Sequence, residues 1–441
     1  MVKLKYNGRS MNVTMIIIFA LILLVGCGYI GWHVWQLLPL SNVGKWTVTG
    51  VMFLCFLSLF TNFFIDKLPM SVATILYEVG NSSLFIGLYL IILFLIFDLG
   101  RVVHWIPAEF LRNSWVGTTS VLVIIVGLFV YGYLNYLHKE RVPLTLNSAK
   151  MMHKRHRIVM LTDLHLGYHN RVDEFRKWIN KVNVEQPEAI LIAGDIIDGS
   201  IRALLDQNMA AEFKRLKAPV YACLGNHEYY SGEPRAKQFY KEAGIHLLID
   251  DHALIPLNDG DTLLVVGRDD RTNKRRATLA TLMQKAPKGY YTILMDHQPY
   301  HLEEAQQLGI DFQLSGHTHY GQVWPVSWIE DAIYEDAFGP LKKGNTQYYV
   351  SSGIGIWGGK FRIGTRSEYV VADIEPKTVL HRIPLYVLVS LAIFMLDSCF
   401  SSFSSSEEVM AYLEKNYPGQ CIVLSDEYET TRGLSNDIRI W

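Results

Sequence analysis

Arg157-Ile-Val-Met-Leu-Thr-Asp-Leu-His165 and Ala189-Ile-Leu-Ile-Ala-Gly-Asp195 decide the fold of this chain. In each, a short aliphatic run gives way to an aspartate. Runs of this length and composition read as buried strands. Between them Phe175, Trp178, Ile179 and Val182 recur at the spacing of one helix face. Strand, helix and strand make a β-α-β unit, whose strands pair in parallel. Further strands end at Leu224, Met295, Leu314 and Val350, each followed by polar residues, glycine or both. In open α/β sheets, reactive groups collect at such strand ends.

The residues at those ends are of one chemical kind. They read Asp163-Leu-His165, Gly194-Asp195, Gly225-Asn226-His227-Glu228, His297 and Gly316-His317-Thr-His319. Two-residue spacing in an extended chain turns Asp163 and His165 the same way, and likewise His317 and His319. A carboxylate can bridge two cations, while imidazoles and an amide oxygen complete mixed N/O shells suited to Mn, Fe or Zn. Glycines just before Asp195, Asn226 and His317 let the backbone turn sharply beside a crowded centre. Any one of these motifs alone is more often a structural residue. Five in succession, each behind a strand, point to a metal centre.

In this order, D-x-H, G-D, G-N-H-E, H and G-H-x-H resemble the calcineurin-like metallophosphoesterase superfamily. Within it the chain looks like the membrane-associated branch of YkuE-type proteins and transmembrane proteins with a metallophosphoesterase domain. The resemblance covers roughly residues 143 to 376 and extends to Gly321-Gln322 and Ser351-Ser-Gly-Ile-Gly355. It implies an α/β domain built as a β-sandwich flanked by helices (αββα), holding two divalent ions among Mn, Fe, Zn and Mg. It further implies that Asp163, His165 and His319 hold the first ion. Asp195 would bridge to the second, which Asn226, His297 and His317 complete, leaving His227 to protonate the leaving group or stabilise the phosphoryl oxygens.

Physical chemistry agrees with those roles. Two cations about 3.5–4 Å apart clamp a phosphoryl group and lower the pKa of bound water toward ~7, giving a hydroxide that attacks phosphorus in line. An imidazolium opposite supplies the departing alkoxide with a proton, worth about 10²–10⁴-fold. With neither G-x-S-x-G nor a P-loop present, direct hydrolysis of a phosphoester or pyrophosphate bond is the expected reaction. The phosphatase-type hydrolase so expected has one rival, a non-catalytic membrane sensor for phosphorylated ligands. Such a sensor should have lost a ligand or His227, and here every position is filled.

The first 140 residues are of another kind. Crossing hydrocarbon takes about 20 residues of helix, and four stretches qualify: Val13 to Leu38, Trp46 to Ile65, about Gly80 to Asp98, and Thr119 to Leu137. Pro39, Lys45, Asp66, Lys67, Pro69, Arg101, Pro107 and Arg112 fall between them. The first stretch reads as a span and not as a cleaved signal. Glu78 would lie at the interface or inside the bundle. Trp32, Trp35, Trp46, Trp105 and Trp115 fit aromatic belts. Lys3, Lys5 and Arg9, with Lys139, Arg141, Lys150, Lys154, Arg155 and Arg157, outnumber the basic residues of the loops between spans. A multi-pass cell-membrane protein with a cytoplasmic catalytic domain is expected. The regions are then 1–142, transmembrane; 143–376, the phosphoesterase domain; and 377–441, a tail.

The net charge of −1 gives no reason to expect a nucleic-acid partner. Five cysteines without a CxxC pair suggest neither a zinc knuckle nor a redox motif. A transporter would need polar residues in several spans, where only Asn62, Glu78 and Asn81 occur. Arg362 and Arg366 either bind a second phosphate by bidentate contacts or pair on a solvated surface, as do Arg268, Asp269, Asp270 and Arg271. Trp324, Trp328, Trp357 and Phe361 pack the core, line an acyl groove or touch the bilayer. Membrane tethering favours a lipid-linked phosphoester, and relatives of this fold cleave UDP-diacylglucosamine. In the tail, Lys377, His381 and Arg382 precede a short apolar run, Ile383 to Leu396, then Asp397-Ser-Cys399. That pattern suits a misplaced secretory signal, an interfacial helix or a fused reading frame.

Overall fold

The structure, a computed structural model, describes residues 3–376 without 7, 8, 149 and 151, together with Ala411 and Lys415, and side chains from Leu21 onward. The expectations for residues 377–441, Cys399 and Cys421 included, lie outside the described residues.

After a hairpin of Lys3–Tyr6 and Arg9–Asn12 come four apolar helices: α1 (Val13–Leu37), α2 (Asn42–Leu57), α3 (Met70–Val102) and α4 (Trp115–Leu137). The Ser41 and Ser114 hydroxyls accept hydrogen bonds from Gly44 N and Gly117 N, starting α2 and α4 where free N–H groups need partners. Three stretches, Asn42–Phe63, Met70–Val102 and Trp115–Leu137, are long and apolar enough to cross a membrane. In α1 the described side chains begin at Leu21, so its described apolar part is Leu21–Leu37, while its backbone is helical from Val13. Ile30, Val34, Leu93 and Phe94 form the inner seam, while Leu24, Phe53, Leu95 and Val123 face outward and exposed. An outward apolar surface of this kind suits lipid, not water.

Helix α3 is longer than the sequence pattern implies. Its 33 residues span about 50 Å at 1.5 Å each, against roughly 30 Å of hydrocarbon. The surplus lies at its start, where Ala73 and Tyr77 join the core of the globular half. Glu78 stands 3.8 Å from Lys360 Nζ, at that junction.

Helix α4 runs directly into the strand Lys139–Asn147, ahead of Pro143, where composition places the change. Two six-stranded sheets follow. In the first, the order is Lys139–Asn147, Ser367–Glu375, His156–Leu161, Ala189–Ala193, Val220–Cys223 and His246–Leu247. In the second it is Gly339–Lys343, Thr346–Val350, Phe312–Ser315, Tyr291–Met295, Thr262–Gly267 and Asp251–Pro256. The β-α-β strands pair in parallel, Ile158 opposite Ala189 and Leu161 opposite Ile192. The sequence pattern gives no hint of the Ser367–Glu375 strand, which runs antiparallel to His156–Leu161 and parallel to Lys139–Asn147.

Met160, Leu191, Cys223, Val265, Ile293 and Leu314 fill the space between the sheets. Helix α5 (Val172–Val184) packs Phe175, Trp178, Ile179 and Val182 on the outer face of the first sheet. Leu279, Leu282, Met283 and Leu302 cover the second. The layers are therefore αββα. Among the described residues, Cys27, Cys55 and Cys223 are free thiols.

Trp178 is buried in the largest of these cores. Trp178→Ala should destabilise the protein by about 3–5 kcal/mol, read as a lowered unfolding temperature of the purified chain.

Candidate metal centre

The C-terminal ends of the parallel strands in both sheets meet at one edge of the sandwich. Asp163 and His165 follow His156–Leu161, Asp195 follows Ala189–Ala193, and Asn226 and His227 open the helix after Val220–Cys223. The second sheet contributes His297 after Tyr291–Met295, and His317 and His319 after Phe312–Ser315. The two sheets are stitched there: His297 Nδ1 donates to Ala193 O at 2.8 Å, and His317 N donates to Asp163 Oδ1 at 3.1 Å.

Ligand-type atoms converge within 4.8 Å of one another in three overlapping groups. They are Asp163–His165–His319, His165–Asp195–His227 and Asp195–His297–His317. Asp195 belongs to two of them, its Oδ2 3.1 Å from His297 Nε2 and 3.6 Å from His165 Nε2. His165 Nε2 faces His319 Nε2 at 3.0 Å, and Asn226 Oδ1 is buried without a hydrogen-bond donor. Two imidazole nitrogens aimed at each other and an orphaned amide oxygen fit a cation between them.

The backbone is strained to bring them together. Asp163, His165, Asp195, His317 and His319 all have φ between 43° and 72°. That left-handed region costs a residue with a Cβ about 1–2 kcal/mol, and such strain gathers where function fixes geometry. Space is equally tight: a Cβ on Gly225 would lie 2.1 Å from Asp195 Oδ1, and one on Gly316 2.2 Å from Asp163 Oδ2.

Behind these side chains lies a layer that orients them. Asp198 Oδ1 accepts from His165 Nδ1 at 3.1 Å, turning His165 Nε2 toward the centre. Burial alone would raise the Asp198 carboxyl, but the His165 hydrogen bond and the neighbouring imidazoles hold it below the usual carboxylate range. His227 Nδ1 donates to Asp198 O at 2.8 Å. Glu228 accepts from Gly225 N, Asp195 N and Ile197 N, tying two ligand loops. Burial, reinforced by Asp195, pushes Glu228 up to about 7. His317 is lowered to about 4, first by burial and then by His297, which leaves it a neutral imidazole with a lone pair to offer.

The apolar helices reach this layer. Tyr77 of α3 donates to Asp198 Oδ2 at 2.5 Å, and Tyr136 of α4 to Asn170 Oδ1 at 2.7 Å. Asn170 in turn donates to His165 O and Ile356 O. Of this layer, Glu228 stands in Gly225-Asn226-His227-Glu228, and Asp198 is the second carboxylate of Gly194-Asp195-Ile-Ile-Asp198. Tyr136 lies in the Thr119 to Leu137 stretch that reads as a span, and Tyr77 just ahead of the Gly80 to Asp98 stretch.

A family model described as calcineurin-like phosphoesterase matches residues 156–321. A metallophosphoesterase of Campylobacter jejuni is 30% identical over 265 residues, which is 58% of this chain and 69% of that protein. The chain belongs to the calcineurin-like metallophosphoesterase family. A transmembrane protein with metallophosphoesterase domain from Danio rerio is 28% identical over 316 residues, 64% of this chain and 70% of the relative. YkuE, a metallophosphoesterase of Bacillus subtilis, is 26% identical over 257 residues, 56% of this chain and 90% of YkuE. A phosphoester hydrolase fold with a divalent-metal site is the family's common ground.

Arg362 and Arg366 stand apart from the expectation of a second-phosphate site. Arg362 is fully buried, and its guanidinium donates to His319 O, Ser352 O, Gly355 O and Ser367 Oγ. It clamps the ligand loop from behind, with no face turned to substrate. Arg366 pairs with Glu140 and Glu368. Arg268 is likewise engaged by Asp296 and Glu304. The four aromatics divide: Trp357 packs on Phe85 of α3, Phe361 on Phe129 of α4, and Trp324 on Trp328.

Residues that orient metal-ligating imidazoles are worth about 10–100-fold in affinity. Asp198→Asn should weaken manganese binding by about that factor in calorimetric titration. Tyr77→Phe should move it the same way by less.

Proposed function

We propose that this metallophosphoesterase is a multi-pass membrane enzyme with its globular domain on the cytoplasmic side. It hydrolyses a phosphoester or pyrophosphate bond, on a lipid-linked substrate such as UDP-diacylglucosamine. The observation that carries the reading is Asp195, a buried carboxylate shared between two histidine groups. Asp163, His165 and His319 would hold one divalent ion, and Asn226, His297 and His317 the other, with Asp195 between. Such ions, when bound, neutralise phosphoryl charge and lower the pKa of a coordinated water.

The chain's own side chains do the rest. His227 is the least buried imidazole of the constellation apart from His317, and its Nδ1 is committed to Asp198 O. Its Nε2 is therefore the atom that would carry a proton to the leaving oxygen. The lysines and arginines at the amino terminus and after α4 support the cytoplasmic orientation. Lipid linkage rests on the apolar helices, which keep the site near a bilayer.

Purified protein with manganese should hydrolyse at least one member of a panel holding a phosphomonoester, a phosphodiester and UDP-diacylglucosamine. Asp195→Asn should lose both bound manganese and turnover. His227→Ala should retain manganese and slow turnover by about 10²–10⁴-fold. Loss of manganese from His227→Ala would make it a ligand instead, and wild-type rates in both variants would refute the reading.

A further inference from the structure

The short helix Val326–Ile333 begins a few residues beyond the ligand His319. Its backbone presses on the ligand turn, since a Cβ on Gly321 would lie 2.4 Å from Ser327 N. Ser327 is buried on that side. The other side carries Trp328, Ile329 and Ile333, exposed by 64%, 57% and 54%, with Trp324 beside them. Large apolar side chains grouped in this way mark a contact surface.

The helices beside it say what covers that surface. Val326 packs with Phe85, Tyr89, Phe129, Val323 and Ile363, so the segment lies against α3 and α4. Tyr89 donates to Trp324 O at 2.5 Å, and Asn135 of α4 donates to Arg362 O and Thr365 O. Counting roughly 20 residues back from Arg101 puts the start of a spanning stretch near Ser82. Tyr89 is about two turns beyond that point. The helix Val326–Ile333 thus lies against α3 and α4 about two turns inside the stretch long enough to span hydrocarbon.

We propose that Trp324, Trp328, Ile329 and Ile333 are seated in the bilayer, so that the catalytic domain itself dips into the leaflet beside its metal centre. This rests on the reading of α3 and α4 as membrane spans. The segment returns directly from the bilayer to the site: Tyr334, the residue after Ile333, faces His317 at 6.3 Å between ring centroids. A phosphoester borne on a lipid then reaches the ligands without leaving the membrane surface. Glu330 and Asp331 share this helix and must stay at the headgroup level, which limits the seating to the edge of the leaflet; Asp331, itself exposed, accepts from Tyr320 Oη.

The test uses the full chain in phosphatidylcholine nanodiscs, ordinary or with brominated acyl chains, comparing wild type with Trp328→Tyr. The emission difference between the two proteins isolates Trp328, and it should lose most of its intensity in the brominated discs. An equal contribution in both kinds of disc overturns the proposal. If total emission is quenched but the Trp328 share is not, the helices span and this face stays in water. If neither is quenched, the spanning reading fails as well. A nitroxide attached at Ile333→Cys gives a second readout that does not depend on the Trp328 variant. Greater exposure to oxygen than to a nickel chelate supports the bilayer, and the reverse overturns it.

Discussion

Two imidazole nitrogens face each other at 3.0 Å, His165 Nε2 and His319 Nε2, so they either share one proton in an N–H···N hydrogen bond or turn both lone pairs on a cation. Asp163 and Asp195 are buried beside them, and isolated carboxylates in a low-dielectric interior are costly. Divalent ions held there would meet both demands at once, since imidazoles give them lone pairs and carboxylates give them charge. The left-handed backbone at Asp163, His165, Asp195, His317 and His319 accompanies the same convergence. Without the convergence it would be strain with no return.

That convergence draws ligands from both sheets, so it depends on how the sandwich closes. His297 Nδ1 on Ala193 O and His317 N on Asp163 lock the two edges together. It also depends on helices outside the sandwich. Tyr77 and Tyr136 each place a hydroxyl on the layer that aims His165. The apolar helices therefore act as more than a tether. A shift of α3 along its axis would pull Tyr77 from Asp198, and the imidazole it steadies would lose its orientation.

Much of this was legible in the sequence because metal chemistry narrows the choice of residues. Asp, His and Asn behind successive aliphatic strands have few other uses in common, and the strands ending at Ala193, Met295 and Val350 lie where the aliphatic runs place them. What escaped depends on partners far apart in the chain. The Ser367–Glu375 strand reads no differently from a peripheral one, yet it sits inside the first sheet. Its position is set by pairing with Lys139–Asn147, more than two hundred residues earlier. Arg362 looks like a phosphate ligand by residue type alone, and burial decides otherwise. Tyr77 and Glu78 lie just ahead of the Gly80 to Asp98 stretch, and hydropathy alone does not show that α3 starts at Met70 with its first turns buried by protein.

Arg362 shows how the two halves share one electrostatic problem. Burial lowers its pKa to about 10, while the charges of Asp163 and Glu368 oppose that shift. A buried guanidinium is tolerable only when its donors are satisfied. Here the acceptors are carbonyls of the His319 turn and the 352–355 loop, the two segments that flank Asp163. The backbone N of Arg362 donates to Gly132 O of α4. One residue thus fixes the His319 turn, offsets part of the Asp163 charge and joins the site to an apolar helix. Shortening its side chain would leave several carbonyls unpaired in the interior, so its identity is constrained by the fold as tightly as that of a ligand is by the metal.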